Sequence, residues 1–289
     1  MKTSLQRLPP WLKILLFIGC FTGLLMIAGF LQFFFSPAFR QLAFGILGSG
    51  GGLFTVWIFS KFRAFSYAKA GIRLNRRSPL KFLLGVVIGL VFFLALLMAF
   101  IWLTPVRIRF SGNGLSLEAG LQLLSLLPLA LMEEMAFRSY PQQELNHRYG
   151  VWVSQFVMAL VFGFYHILYG WDPVTAFTGP FVWAFLFGLA AIASRGIALP
   201  LGIHFSVNAG QLIAGLNGAS PTALWIISYP SRTAEAVQQR SQVTSMGLHG
   251  GIWIMLLLFT FYWDRRQKKT NACELHEQAD QKSVIQRRF

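Results

Sequence analysis

The sequence predicts an all-α, polytopic membrane protein of about eight transmembrane helices. Three observations carry this. Of 289 residues, 55% are apolar and the mean hydropathy is +0.56. Charged residues make up 12%, about half the ~25% usual in soluble domains. Long charge-free stretches recur, at 14–39, 41–60, 82–106, 149–171, 173–194, 196–231 and 241–263. Such a composition excludes a soluble globular enzyme and a disordered chain.

Each of these stretches reaches the ~20 residues an α-helix needs to cross the hydrocarbon core. An eighth, 119–132, holds only 14 residues between Glu118 and Glu133. It spans only if Glu133 and Glu134 lie in the membrane with it. The expected helices are therefore 12–35, 41–60, 80–104, 116–140, 151–169, 174–193, 197–216 and 248–263. The first follows Lys2, Arg7 and Lys13, but its apolar run is too long for a signal peptide and no clear small-x-small site follows, so it is read as retained. Gly48, Gly50, Gly51 and Gly52, and the pair Gly85 and Gly89, suit close helix packing. The segment 217–247 reads as a polar loop. The organisation is one domain over 1–263, with its motif core at 116–216, and a charged, mobile tail over 264–289.

Lys and Arg sort by loop. Of 25, 20 fall on the N-terminal arm, the 61–79 loop with Lys81, the 138–150 region, Arg195 and the tail, whereas the intervening loops hold only Arg40, Arg107, Arg109, Arg232 and Arg240. The positive-inside rule then sets both termini in the cytoplasm, with the inner membrane of a bacterium as the expected location. It also accounts for the net charge of +15 without nucleic acid, for which no aromatic-basic reading module is present. Cys20 and Cys273 sit at opposite ends of the chain and indicate neither a disulfide framework nor a cysteine metal site.

Ionisable groups within membrane helices are costly and default to functional hypotheses. Glu133, Glu134, Arg138, His166 and His204 are such groups, with Asn208 beside them. On a helix Glu134 and Arg138 are four apart and face each other, so they read as an ion pair. Glu133 is rotated by ~100° and has no such partner, which leaves it able to exchange a proton. Glu133 lies 17 residues before Gly150 and His166 lies 16 after it. An antiparallel hairpin turning at Tyr149–Gly150 would bring the two to one level and permit a contact. Pro128 and Pro141 can bend this segment. His204 and Asn208 share one face of the seventh helix, and Phe162 would pack beside His166.

Taken singly, each group has a structural reading: a hydrogen bond between helices, an ion pair, or helix glue. Together they could converge. A Glu and a His can deprotonate water, and a second His with an Asn can donate to an oxyanion. That is a peptide-hydrolysis site without a covalent nucleophile. No Gly-x-Ser-x-Gly elbow and no His-Glu-x-x-His zinc motif occurs. A divalent metal such as zinc, held by Glu133, His166 and His204, fits the ligand types. A transporter using the same groups as an ion path, and a catalytically silent peptide-binding scaffold, are the other functions such groups could serve. The outer half is poor in polar residues, which weighs against the transporter.

Glu133-Glu134-x-x-x-Arg138, Phe162-x-x-x-His166 and His204-x-x-x-Asn208 resemble the motifs of the CPBP family. These are intramembrane proteases related to the Ras-converting CAAX endopeptidase and to bacteriocin-processing or self-immunity proteins. The resemblance covers about 118–212. It implies about eight helices around a conical polar cavity open to the cytoplasmic side. It also implies Glu133 as the water-activating residue with His166 as its partner, His204 and Asn208 as the oxyanion pair, and Glu134 and Arg138 as supports. Members are described both as metal-free glutamic proteases and as metalloproteases, and the metal-free form accounts for every group. The implied substrate is a peptide or protein, possibly lipidated, met among membrane lipids. Ser139 stands where many relatives have glycine.

Overall fold

The computed structural model describes residues 7–62, 66–68, 70–72, 75–112, 116–216, 224–228 and 234–286, with the side chains of 234–236 and 270–286 not described. Lys2, Arg63, Lys69, Arg73, Arg232, Arg287 and Arg288, counted above among the loop charges, lie outside them, as do most of the 217–233 loop and the side chain of Cys273.

The helices are α1 Pro10–Leu31, α2 Pro37–Lys61, α3 Ser78–Leu103, α4 Leu117–Glu133, α5 Tyr140–Leu168, α6 Pro173–Thr178, α7 Pro180–Ser194, α8 Ala198–Ile213 and α9 Ala234–Gln286. Pro10, Pro37, Pro79, Pro141, Pro173 and Pro180 all sit in first turns, where the missing N–H would have had no helical partner. Ser116 caps α4 by accepting from Ala119 N at 3.1 Å, and Asp172 caps α6 by accepting from Thr175 N at 3.0 Å. The protein is an all-α polytopic membrane protein. Six helical segments among the described residues are long and apolar enough to span a bilayer: Pro10–Phe34, Pro37–Lys61, Ser78–Leu103, Leu117–Leu168, Pro173–Ser194 and Val237–Lys269.

The segment Leu117–Leu168 is broken twice. A π-helical turn, Glu134–Arg138, follows α4, and Ser139 (ψ −126°) separates it from α5. Within α5, Gly150 adopts φ 82° and ψ 172°, which glycine tolerates at no steric cost. The turn expected at Tyr149–Gly150 is therefore present, but the expected helix 116–140 is not continuous. The expected 174–193 helix is likewise divided at Gly179 into α6 and α7.

The helix expected over 248–263 instead begins at Ala234 and runs to Gln286. Polar residues made 241–247 read as loop, yet they satisfy themselves on the helix. Ser241 Oγ donates to Val237 O at 2.7 Å, and His249 Nδ1 bonds Ser245 O at 2.8 Å. Beyond 263 the tail read as mobile is also helical, and Lys268 pairs with Asp264 four residues earlier at 2.8 Å. The sequence also gave no sign of β1 Arg107–Phe110 and β2 Trp225–Ser228, a short antiparallel ribbon.

α3 and α8 approach most closely. A Cβ on Gly85 would lie 2.2 Å from Leu199 O, and one on Gly202 2.1 Å from Phe82 O. Gly48 and Gly52 similarly admit Met132 and Met135 of α4 and the π-turn against α2. Lys61, Lys81, Arg148 and Arg195 gather at one end of the bundle, where Lys81 Nζ donates to Ser194 O at 2.6 Å. The ribbon lies at the other end, across the length of α3. At the basic end is a cavity of about 950 Å³ lined by Gln143, Glu144, His147, Arg195, Asp264 and Lys268.

Candidate active site

The end of α4 delivers Glu133 and the start of the π-turn delivers Glu134, and α8 delivers His204 between them. Glu134 Oε1 accepts from His204 Nδ1 at 2.8 Å, while Glu133 Oε2 lies 3.6 Å from His204 Nε2. Neighbouring helical side chains diverge by ~100°, which lets two adjacent carboxylates straddle one ring. The two glutamates differ in setting. Glu134 is wholly buried, whereas Glu133 keeps 15% of its side chain exposed. Phe187 of α7 stacks on the imidazole with ring centres 4.5 Å apart and planes 17° apart, fixing its tilt. Glu134 therefore holds His204, and the 3.6 Å separation from Glu133 exceeds a direct hydrogen bond.

Arg138 does not pair with Glu134 as its spacing predicted. Its guanidinium lies 4.7 Å from the centre of the Phe162 ring, with Phe137 and Phe187 each at 5.8 Å. Its nitrogens and Glu134 Oε2 have no direct hydrogen bond to the described residues. The π-turn explains this. Its i→i+5 pattern widens the helix, so residues 134 and 138 no longer lie one above the other. Ser139 Oγ bonds back to Met135 O and closes the widened turn. Aromatic faces take the place of the expected carboxylate.

His166 lies near the end of α5 and is half-buried. Its Nδ1 donates to Phe162 O at 2.9 Å. A carbonyl only accepts, so the proton sits on Nδ1 and Nε2 is left as the acceptor. No hydrogen bond or ion pair joins His166 to Glu133 among the described residues. The link expected from their common level is thus not formed, because the helix's own carbonyl takes one nitrogen and Glu133 turns towards α8. The two imidazoles share Phe162, whose ring centre is 4.6 Å from that of His166 and 6.4 Å from that of His204. Asn208, one turn beyond His204, is half-buried, and its amide makes no hydrogen bond to the described residues.

The metal set Glu133, His166 and His204 is not assembled. Among the described residues no three His, Cys, Asp or Glu side chains are arranged to hold a metal ion. The residues as placed do not fit such a group. Nor do Glu133, His166, His204 and Asn208 line the cavity at the basic end, where a cytoplasmic opening was expected. Residues 134–142 are buried without interruption.

Sequence reasoning missed the supports. Gln142 Nε2 donates to Ser154 Oγ at 2.6 Å, and Gln155 Nε2 donates to Phe185 O at 2.9 Å. The first ties the two limbs of α5 to each other, and the second ties α5 to α7, which carries Phe187. Their only sequence signal is that two glutamines and a serine lie within largely apolar surroundings. Phe187 gives no polar signal at all. Replacing Glu134 with Leu removes the acceptor for a buried donor and is expected to cost ~1–3 kcal/mol. Glu134→Gln, which keeps an acceptor, should cost less. Thermal unfolding in detergent checks the order.

Residues 116–210 match the family model described as type II CAAX prenyl endopeptidase Rce1-like. This stretch is Rce1-like. The matched span opens at the Ser116 cap and closes two residues after Asn208, so the Rce1-like core runs from α4 through α8 and contains Glu133, Glu134, Arg138, His166, His204 and Asn208. The family is one of CAAX-processing peptidases, and the apolar helices make the chain an integral membrane protein. No curated protein matches the chain.

Proposed function

We propose that the protein is an intramembrane endopeptidase in which Glu133 activates water for attack on a peptide bond. The observation that carries this reading is the clasp on His204, with one carboxylate buried and hydrogen-bonded to the ring and its neighbour 3.6 Å from the ring's other nitrogen and partly exposed. Glu133 takes a proton from water as the oxygen attacks the carbonyl carbon. His166, through its Nε2, helps to orient that water. The Asn208 amide donates to the oxyanion, and His204 joins it through Nε2–H in the doubly protonated ring, since Nδ1–H is already held by Glu134. The C–N bond then breaks, and the proton held by Glu133 passes to the leaving amine. One water is consumed and one carboxylate and one amine are formed. We take the metal-free form because it gives every polar group of the cluster a role.

The substrate in this reading is a peptide or protein segment reaching the membrane, in line with the family description as a prenyl endopeptidase. Both termini are taken as cytoplasmic from the loop charges. Comparative peptidomics of membranes carrying wild-type protein or its Glu133→Gln variant tests the proposal. Peptide termini that appear only with the wild type support it, and identical sets of termini overturn it. Asn208→Ala is expected to lower kcat by 10²–10³-fold, ~2.7–4 kcal/mol, with KM little changed. Steady-state kinetics on a cleaved peptide reads that split.

A further inference from the structure

A second cavity, of about 300 Å³, lies between α3, α8 and α9 towards the ribbon end. Its two walls differ. Phe93, Leu96 and Phe100 of α3 form an apolar side, while Gln238, Ser241, Gln242, Ser245 and His249 of α9 form a polar side at helical spacing. Gln211 of α8 closes it, one turn beyond Asn208. Among the described residues no Asp, Glu, Lys or Arg lines it. Trp183 also lines it; this residue is 6% exposed, and its buried Nε1–H has no hydrogen-bond partner among the described residues. The side-chain amides of Gln211, Gln238 and Gln242 likewise make no hydrogen bond to the described residues. A polar stripe on a membrane helix and a buried indole donor left unpaired are both costly.

The cavity is joined to the candidate active site by rings. Phe187 stacks on His204 at 4.5 Å, Trp183 stacks on Phe187 at 6.2 Å, and His249 meets Trp183 edge-on at 6.3 Å. A continuous aromatic wall thus runs from the clasped imidazole to the polar stripe.

We propose that this cavity is a substrate subsite for a short, uncharged, extended stretch of polypeptide flanking the scissile bond, an inference that rests on the endopeptidase reading. A glutamine amide offers a donor and an acceptor, which matches the alternating N–H and C=O of an extended backbone. Trp183 Nε1–H adds one donor for a carbonyl. The α3 wall takes apolar side chains. The volume is at the low end of ligand pockets, ~300–1,000 Å³, so the segment is short. The described lining residues are all uncharged, so they offer no counter-ion to Lys, Arg, Asp or Glu at these positions.

The test uses the full-length Glu133→Gln protein in nanodiscs and a blocked neutral hexapeptide carrying a benzophenone. Cross-links mapped by mass spectrometry are expected on 96–100 and 238–249. Labelling should fall at least tenfold when the backbone amides of the probe are N-methylated, and also in the Gln238→Leu/Gln242→Leu double variant. Trp183→Phe keeps the ring wall and deletes one donor, so it should lower labelling severalfold without lowering the thermal midpoint. That variant decides the matter if the double variant does not fold. Labelling that ignores N-methylation and is competed by phosphatidylglycerol overturns the proposal in favour of a lipid cavity, and labelling elsewhere overturns it outright. Labelling needs no turnover. A protein that labels as expected but never cleaves keeps the subsite and loses the protease reading, whereas one that cleaves without labelling here loses the subsite alone.

Discussion

Glu133→Gln is expected to lower turnover by ~10²–10⁴-fold, the range supplied by a positioned general base, while the protein inserts and unfolds like the wild type. The substitution keeps shape and volume and removes only the proton acceptor. Glu133 makes no short hydrogen bond to the described residues, and the His204 Nε2 beside it is 3.6 Å away, so little structural energy is lost with its charge. Glu134 is the contrasting neighbour. It bonds His204 Nδ1 at 2.8 Å and is wholly buried, so changes there should appear first as lost stability and only then as lost activity. Parallel thermal melts and single-turnover rates for the two variants separate a group that reacts from a group that holds.

The largest expected loss of stability follows from Gly85→Val or Gly202→Val. At each glycine the first added carbon would meet a backbone carbonyl oxygen, at 2.2 Å and 2.1 Å respectively. Backbone does not move aside as a flexible side chain does, so α3 and α8 must separate. Core overpacking ordinarily costs ~1–3 kcal/mol, and a clash with backbone lies at or above the top of that range. Because α8 carries His204 and Asn208, the same displacement should abolish activity. Gly50→Ala is the control, since a Cβ there meets nothing within 4 Å. Replacing a mid-helix glycine with alanine is expected to stabilise by ~0.5–1 kcal/mol. Size-exclusion profiles and melting curves of the three variants check this contrast.

The membrane architecture was legible because hydropathy and the sorting of Lys and Arg are properties of whole segments. Gly85 and Gly89 were legible as packing residues because a missing side chain in a long apolar run has few other uses. What could not be read depends on local backbone geometry or on distant partners. The Glu134–Arg138 pairing assumed an α-helical register that the π-turn replaces. The Glu133–His166 contact assumed that matching depth suffices, yet Phe162 O claims one nitrogen of His166 and α8 presents His204 to both carboxylates. Phe187 and Trp183 carry no polar signature, so their place beside His204 and the second cavity emerges only in three dimensions. The stretch 217–247 read as a loop because its polar residues were counted as solvent-seeking, whereas from Ala234 on it is helical, the Ser241 hydroxyl donating to Val237 O and the Ser245 carbonyl accepting from His249 Nδ1.

Hydrolysis in ¹⁸O-labelled water by purified protein, followed by mass spectrometry of the peptide products, tests the account most directly. Wild type should place one labelled oxygen in the new carboxylate, Asn208→Ala should do so ~10²–10³-fold more slowly, and Glu133→Gln ~10²–10⁴-fold more slowly. Full label incorporation by Glu133→Gln, at the wild-type rate, would contradict the assignment of Glu133 as the residue that activates water.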